Sequence, residues 1–370
     1  MKRILLTLGL TTVMLTGPFS GNVLMAAHEQ EKEIDLDALY QQIDEAIEQA
    51  EQYNSKREKE IIKTNSLFKS ENNPEKKLQL ACQLFDLYKP YRNEQAVNFA
   101  EICINIAESL HRPDIAGLYR SLQARQYSNV GLYVEALDRL RQVNKSALDT
   151  QGLTAYYEAW MHVYGQLGSF TQLKHLRQRY FDKQDLYRDS VLMTAEEGSE
   201  EFLHLKMDVL SARRQYQDAL DISDKWLGNV TDGTHENAFA AFYRSVVYDK
   251  LNNQKQSRYW LGKSALDDIK CAVLDQAALI MLAERLSQDG DHERAYRYAS
   301  FSRECNTAYY PYLRNYQTNA VINVINQSRK AYQDSNRRLL IIASVAVVLL
   351  LLAVIGLYLS RRRAASKVTG

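Results

Sequence analysis

The chain reads as an all-α protein, a stack of helical hairpins followed by one C-terminal transmembrane helix. Three observations predict this. Helix breakers are scarce, with 5 prolines and 15 glycines in 370 residues, below the usual frequencies. Ala, Leu, Gln, Glu, Lys and Arg dominate the rest, and apolar residues recur at three- and four-residue spacings with little strand-like alternation. Residues 339–359, LLIIASVAVVLLLLAVIGLYL, carry no charge and no proline. Wound as a helix, that run reaches about 31 Å, the thickness of a hydrocarbon core. Only a helix satisfies its own backbone there, so the run predicts a single span.

The amino terminus orients that span. Lys2 and Arg3 precede an apolar stretch over residues 4–15, Gly17-Pro18 breaks it, and Ser20, Gly21, Ala26 and Ala27 follow. Residues 1–27 thus have the layout of a secretory signal peptide, with an uncleaved anchor as the other reading. No cysteine lies there to carry a lipid. Charge around the span is balanced: Arg329, Lys330, Arg337 and Arg338 precede it, and Arg361, Arg362, Arg363 and Lys367 follow. The positive-inside rule is therefore silent. The signal peptide decides, placing the body of the chain in the periplasm, the span in the inner membrane and residues 360–370 in the cytoplasm.

Within residues 28–73, residues 34–70 predict one or two amphipathic helices, with Leu36, Leu39, Ile43, Ala46, Ile47 and Ala50 as the apolar stripe. Asn72-Asn73-Pro74 ends this segment and opens the next, since proline suits an early helical position. Residues 74–310 then repeat themselves. The sharpest unit is YRSLQARQYSNVGLYVEALDRLRQV, residues 119–143. It sets Ala124, Tyr127, Gly131, Tyr133, Ala136 and Leu140 at the spacing of a tetratricopeptide repeat, whose small residues let paired helices approach. Looser copies put the equivalents of Tyr133 at Asn93, Phe170, Tyr216, Gln254 and His292. Six hairpins stacked as a solenoid follow, since no single hairpin can bury its apolar face alone. Extra length at residues 195–199 predicts a loop. Pro311 marks the start of a juxtamembrane helix, residues 311–338, with no glycine or proline between Tyr316 and the span. A single helix running from the last repeat into the membrane is expected.

Little in the chain suggests catalysis. The G-x-S-x-G, Walker and H-E-x-x-H patterns are absent; His235-Glu236 lacks the second zinc histidine. The expectation is a non-enzyme without cofactor or metal. A net charge of +1 gives no case for nucleic-acid binding. Recognition of a periplasmic protein or peptide should use a groove lined by the first helix of each hairpin. The repeat register puts Arg125, Glu158, His162, His204 and Asp208 there, with Phe85, Tyr88 and Phe242 as aromatic contacts. Cys82 and Cys103 are equidistant from the turn of the first hairpin, and Cys271 and Cys305 from that of the last. Equal height in antiparallel helices permits a disulfide in an oxidising compartment, but height is not facing, and free buried thiols are the alternative.

The order of segments resembles a known bacterial family. The chain sets a helix of the QAEQYNSKREKEI type, degenerate tetratricopeptide hairpins and an AYQDSNRRLL stretch entering one span in sequence. This is similar to membrane-tethered tetratricopeptide regulators of Gram-negative anaerobes. The resemblance implies periplasmic repeats and, after the span, a cytoplasmic helical region ending in a helix-turn-helix output. Here Arg361-Arg362-Arg363 is followed only by AASKVTG. A shortened gene product, or signalling through a partner, is the expectation, and DNA binding is not carried over. Two functions are thus expected to compete: the sensory half of a transmembrane signalling or transcription regulator, and an envelope scaffold without signalling output.

Overall fold

A computed structural model describes residues 34–309 and 313–368. The expectations for residues 1–27 and for Pro311 lie outside the described residues. Two helices come first, α1 (Leu36–Glu48) and α2 (Ala50–Ser70). Six hairpins follow: α3 (Pro74–Tyr88) with α4 (Asn93–Ser109), α5 (Pro113–Asn129) with α6 (Tyr133–Arg141), and α7 (Thr150–Phe170) with α8 (Lys174–Thr194). The next three are α9 (Glu200–Ala212) with α10 (Tyr216–Asn229), α11 (His235–Lys250) with α12 (Gln254–Lys270), and α13 (Ala277–Asp289) with α14 (His292–Tyr309). A last helix, α15, runs unbroken from Leu313 to Val368. No strand occurs among the described residues.

Four of the hairpins, the second, fourth, fifth and sixth, share one turn chemistry. Gly131, Arg214, Asn252 and Gly290 each sit in the left-handed region, with φ of 83°, 61°, 57° and 93°. The following N–H then reaches back five residues: Leu132 to the Tyr127 oxygen at 2.9 Å, Gln215 to Leu210 at 2.9 Å, Asn253 to Tyr248 at 2.9 Å, and Asp291 to Leu286 at 3.0 Å. This is the Schellman closure, which satisfies the last carbonyls of one helix and aims the chain into the next. The first and third hairpins depart from it. In the first, the Arg92 N–H reaches back only four residues, to the Tyr88 oxygen at 2.7 Å, with no left-handed residue in the turn. In the third, Phe170, expected to open a second helix, instead ends α7, and α8 opens at Lys174. Thr171 is extended, at φ −80° and ψ 134°, so no left-handed residue turns the chain there.

Small residues set the spacing within hairpins. Ala124 and Ala136 are fully buried together with Leu140 where α5 meets α6, and Ala81, Ala96 and Ala100 do the same between α3 and α4. A Cβ on Gly168 would lie 2.8 Å from the Phe181 ring, so α7 and α8 approach as closely as glycine allows.

The two ends of the stack meet. Helix α1 buries Leu39, Tyr40, Ile43 and Ala46 against Leu261 and Ala265 of α12, and against α13 and α14. A Cβ on Gly262 would touch Leu39 at 2.8 Å. Helix α2 packs Ile61 into a cluster shared by Leu84 and Tyr91 of the first hairpin and Ala272, Leu274, Cys305 and Tyr309 of the last two. Polar contacts pin the seam. The Arg57 guanidinium donates to the Leu87 and Cys271 carbonyls, each at 2.8 Å, and the Leu274 N–H donates to Pro90 at 2.9 Å. The Tyr309 hydroxyl donates to Lys89 at 3.3 Å. The solenoid therefore closes on itself, with α1 and α2 as the clasp.

Helix α15 leaves from this closure. Val321, Ile322 and Ile325 are buried in the cluster that holds α1. Glu293 of α14 accepts from Arg329 at 2.9 Å and from Gln333 at 3.0 Å, and Arg329 lies over the Tyr296 ring at 4.0 Å. Beyond Gln333 most of the described side chains are exposed: Leu339, Leu349 and Leu352 are each more than half exposed. It is long and apolar enough to cross a membrane.

Candidate functional site

Polar residues line one face of the first helices of the middle hairpins. Glu158 and His162 lie four residues apart on α7, as do Glu200, His204 and Asp208 on α9, and His235, Phe239 and Tyr243 on α11. Residues four apart share a helical face.

These faces form a connected seam. Arg125 of α5 is ion-paired with the nearly buried Glu158 of α7. That carboxylate raises the Arg125 pKa above its ordinary value and outweighs burial. The His204 imidazole donates from Nδ1 to the Glu200 carbonyl oxygen at 2.8 Å, and its ring packs 5.1 Å from Tyr243 and 5.8 Å from Phe239. Burial lowers the His204 pKa, which keeps the ring neutral, and raises that of Glu200. Tyr243 is likewise raised by burial. Asp208, also on α9, is pushed up to about 7 by burial, opposed by Arg188 and Lys250. At the far end His235 Nδ1 lies 2.8 Å from the Asp268 carboxylate. Burial pulls His235 down, but its hydrogen bond and charge contact with Asp268 win, so its pKa rises; burial raises Asp268. His162 Nδ1 is 3.1 Å from the Ser128 hydroxyl, beside the Arg125 end.

The seam thus sets a fixed cation, carboxyls held toward their neutral form, imidazoles and a phenol along successive hairpins. Such groups can donate and accept hydrogen bonds; Glu158, His204 and Asp268 are buried, and Arg125, Asp208, His235 and Tyr243 are the partly exposed members. Arg125, Glu158, His204 and Asp208 are brought together as the repeat register expects, with His162 at the margin. The three aromatics are not. Phe85 is 1% exposed, edge-on to Tyr119 in the core of the first hairpin. Tyr88 stacks on Phe99 at 5.5 Å and joins the closure cluster. Phe242 packs against the α1 cluster. Phe242 sits one position before the seam residue Tyr243, where the 3.6-residue period turns it into the next interface, while Phe85 and Tyr88 belong to α3, which contributes nothing to the seam. Glu200, Tyr243, His235 and Asp268 complete the seam and escaped the sequence reading. The signal for the first three was the four-residue ladder itself, 200-204-208 and 235-239-243.

The cysteines divide. Cys82 and Cys103 face each other with thiols 3.9 Å apart, unbonded. Cys271 and Cys305 do not face: Cys305 is buried in the closure cluster, while the Cys271 thiol lies 3.3 Å from the Gly233 carbonyl. Cys271 caps the end of α12 beside the left-handed Ala272, which turns its thiol away. A bridge there does not fit the fold.

Comparison with known families finds a match to the model described as the SusR N-terminal TPR domain, over residues 47–320. No curated protein matches the chain.

Proposed function

The chain belongs to the SusR N-terminal TPR domain family, and from that premise we propose that it is the sensory half of a transmembrane regulator. In this reading the closed solenoid lies in the periplasm and recognises a protein or peptide through the Arg125–Asp268 seam. Helix α15 crosses the inner membrane and carries the response inward. The observation that supports this most is the continuity of α15, which buries Val321, Ile322 and Ile325 in the repeat core and leaves the described side chains of its apolar run largely exposed. A helix clamped at one end and uninterrupted through residues 339–359 passes displacement or rotation along its axis. A loose tether would not need the Glu293 contacts to Arg329 and Gln333.

The topology is tested with a reporter active only in the periplasm. Fused after Asn144 it should be active, and fused after Gly370 it should be silent. Activity at Gly370 with silence at Asn144 reverses the orientation. Activity at both positions means that residues 339–359 do not stop transfer.

A further inference from the structure

We propose that Cys82 and Cys103 form a redox-active dithiol that closes to a disulfide by exchange with a protein or small-molecule disulfide. The two thiols lie 3.9 Å apart on the antiparallel helices α3 and α4, with no atom of another residue needed to bring them together. Their helices already approach closely through the fully buried Ala81, Ala96 and Ala100. A disulfide needs closely spaced backbones and facing thiols, and this hairpin supplies both.

The pair is asymmetric in a way that assigns roles. Cys82 is half-buried and Cys103 is fully enclosed, so an outside disulfide meets Cys82 first. The Cys103 thiol donates toward Cys82, and Tyr119 adds a second hydrogen bond after a burial cost; the Cys82 pKa is lowered accordingly. Cys103 is raised, by its contact with Cys82 and by burial. Cys82 is therefore the thiolate that attacks. Its Sγ bonds to one sulfur of the external disulfide and expels the other as a thiolate. Once Cys82 is in that mixed disulfide its negative charge is gone, and Cys103 can yield its proton to the expelled thiolate. The Cys103 sulfur then attacks Cys82 Sγ and expels the second thiolate, which takes a proton from water. Overall two protein thiols and one disulfide become one protein disulfide and two free thiols.

The bond would join the two helices of the hairpin on which the solenoid closes, since Leu84 and Tyr91 of the same hairpin meet Ala272 and Tyr309. This inference stands on the hairpin geometry alone and does not depend on the proposed membrane orientation.

The full chain in detergent is equilibrated with oxidised and reduced glutathione, quenched with acid, alkylated and digested. A linked peptide joining residues 82 and 103 should appear, at a ratio of oxidised to reduced glutathione at least about tenfold lower than in chain unfolded in urea. Cys103→Ala should leave Cys82 as a persistent mixed disulfide with glutathione. Cys82→Ala should leave Cys103 unmodified. No linked peptide in the folded wild type, or one that forms no more readily than in urea, overturns the proposal without recourse to any variant.

Discussion

Asp208 shows how the seam trades stability for chemistry at a single residue. Its carboxyl sits beside Tyr243 on α11, and burial pushes its pKa up to about 7. A carboxylate raised in the fold binds its proton more tightly there than in the unfolded chain. Its contribution is therefore full near pH 4, falls as pH rises toward 7, and is flat above. Asp208→Asn removes the titration. The variant should melt above wild type at pH 8 and alongside it near pH 4. At about 1.4 kcal/mol per pKa unit the gain has a ceiling near 4 kcal/mol, lowered by the water that still reaches the group. His204 titrates in the opposite sense, but it is present in both proteins and cancels in the difference. A variant that melts lower than wild type at pH 8 would mean that Asp208 is held charged by Arg188 and Lys250. The seam was half legible in the sequence: the repeat register found Arg125, Glu158, His204 and Asp208. It missed Asp268 because that residue comes from α12, a second helix, and no periodicity along the first helices points to it.

At the scale of elements, the repeat was legible wherever its small residues and turn glycines survive. Asn93, Tyr133, Tyr216, Gln254 and His292 each open the second helix of a hairpin, although only residues 119–143 carry the sharp pattern. In the last four of these the register holds because the Schellman turn is a backbone device that tolerates many side chains at modest cost. Arg214 illustrates this. It occupies at φ 61° the place that Gly131 and Gly290 hold in the second and sixth hairpins. A left-handed residue with a Cβ costs about 1 kcal/mol that glycine does not, partly offset by the freedom glycine gains when unfolded. Arg214→Gly should accordingly raise stability by about 0.5–1 kcal/mol, read as a higher melting temperature with unchanged helix content. A loss of stability there would mean that the Arg214 side chain contributes more than its backbone strain. The third hairpin was misread for the same physical reason. Aromatic spacing alone placed its second helix at Phe170, but without a turn residue the first helix simply continues to that point.

For the whole molecule, closure of the solenoid is the feature that local sequence does not encode. The stripe of Leu39, Ile43 and Ala46 announced an amphipathic helix, but nothing in it named α12 as the partner 220 residues away. Long-range pairing of this kind depends on how curvature accumulates over six hairpins. Arg57 is the test of closure, because one guanidinium satisfies carbonyls from the third helix and from the end of the twelfth. Arg57→Ala should cost about 2–4 kcal/mol, since two charge-assisted hydrogen bonds are lost and two carbonyls are left facing an emptied site. Arg57→Lys should recover little, because an ammonium lacks the planar fork that spans both. Equal stability of wild type and Arg57→Ala would show that the clasp is not holding the ring.

The central claim is that α15 conveys a state of the closed solenoid across the membrane as a continuous helix. A Gly-Gly-Gly insertion after Gln333 addresses it most directly. The contacts of Arg329 and Gln333 with Glu293 stay on the solenoid side of the insertion, so docking of α15 is kept while its continuation is broken. Each glycine costs about 1 kcal/mol in a helix interior, and three together make a flexible joint. The measurement compares transcriptomes of wild-type, insertion and deletion strains, with protein level and membrane fraction checked in each. Helical transmission predicts that the insertion strain matches the deletion strain while the protein is still exported and anchored. A deletion that changes expression, beside an insertion that behaves as wild type, would contradict it and leave α15 as a tether.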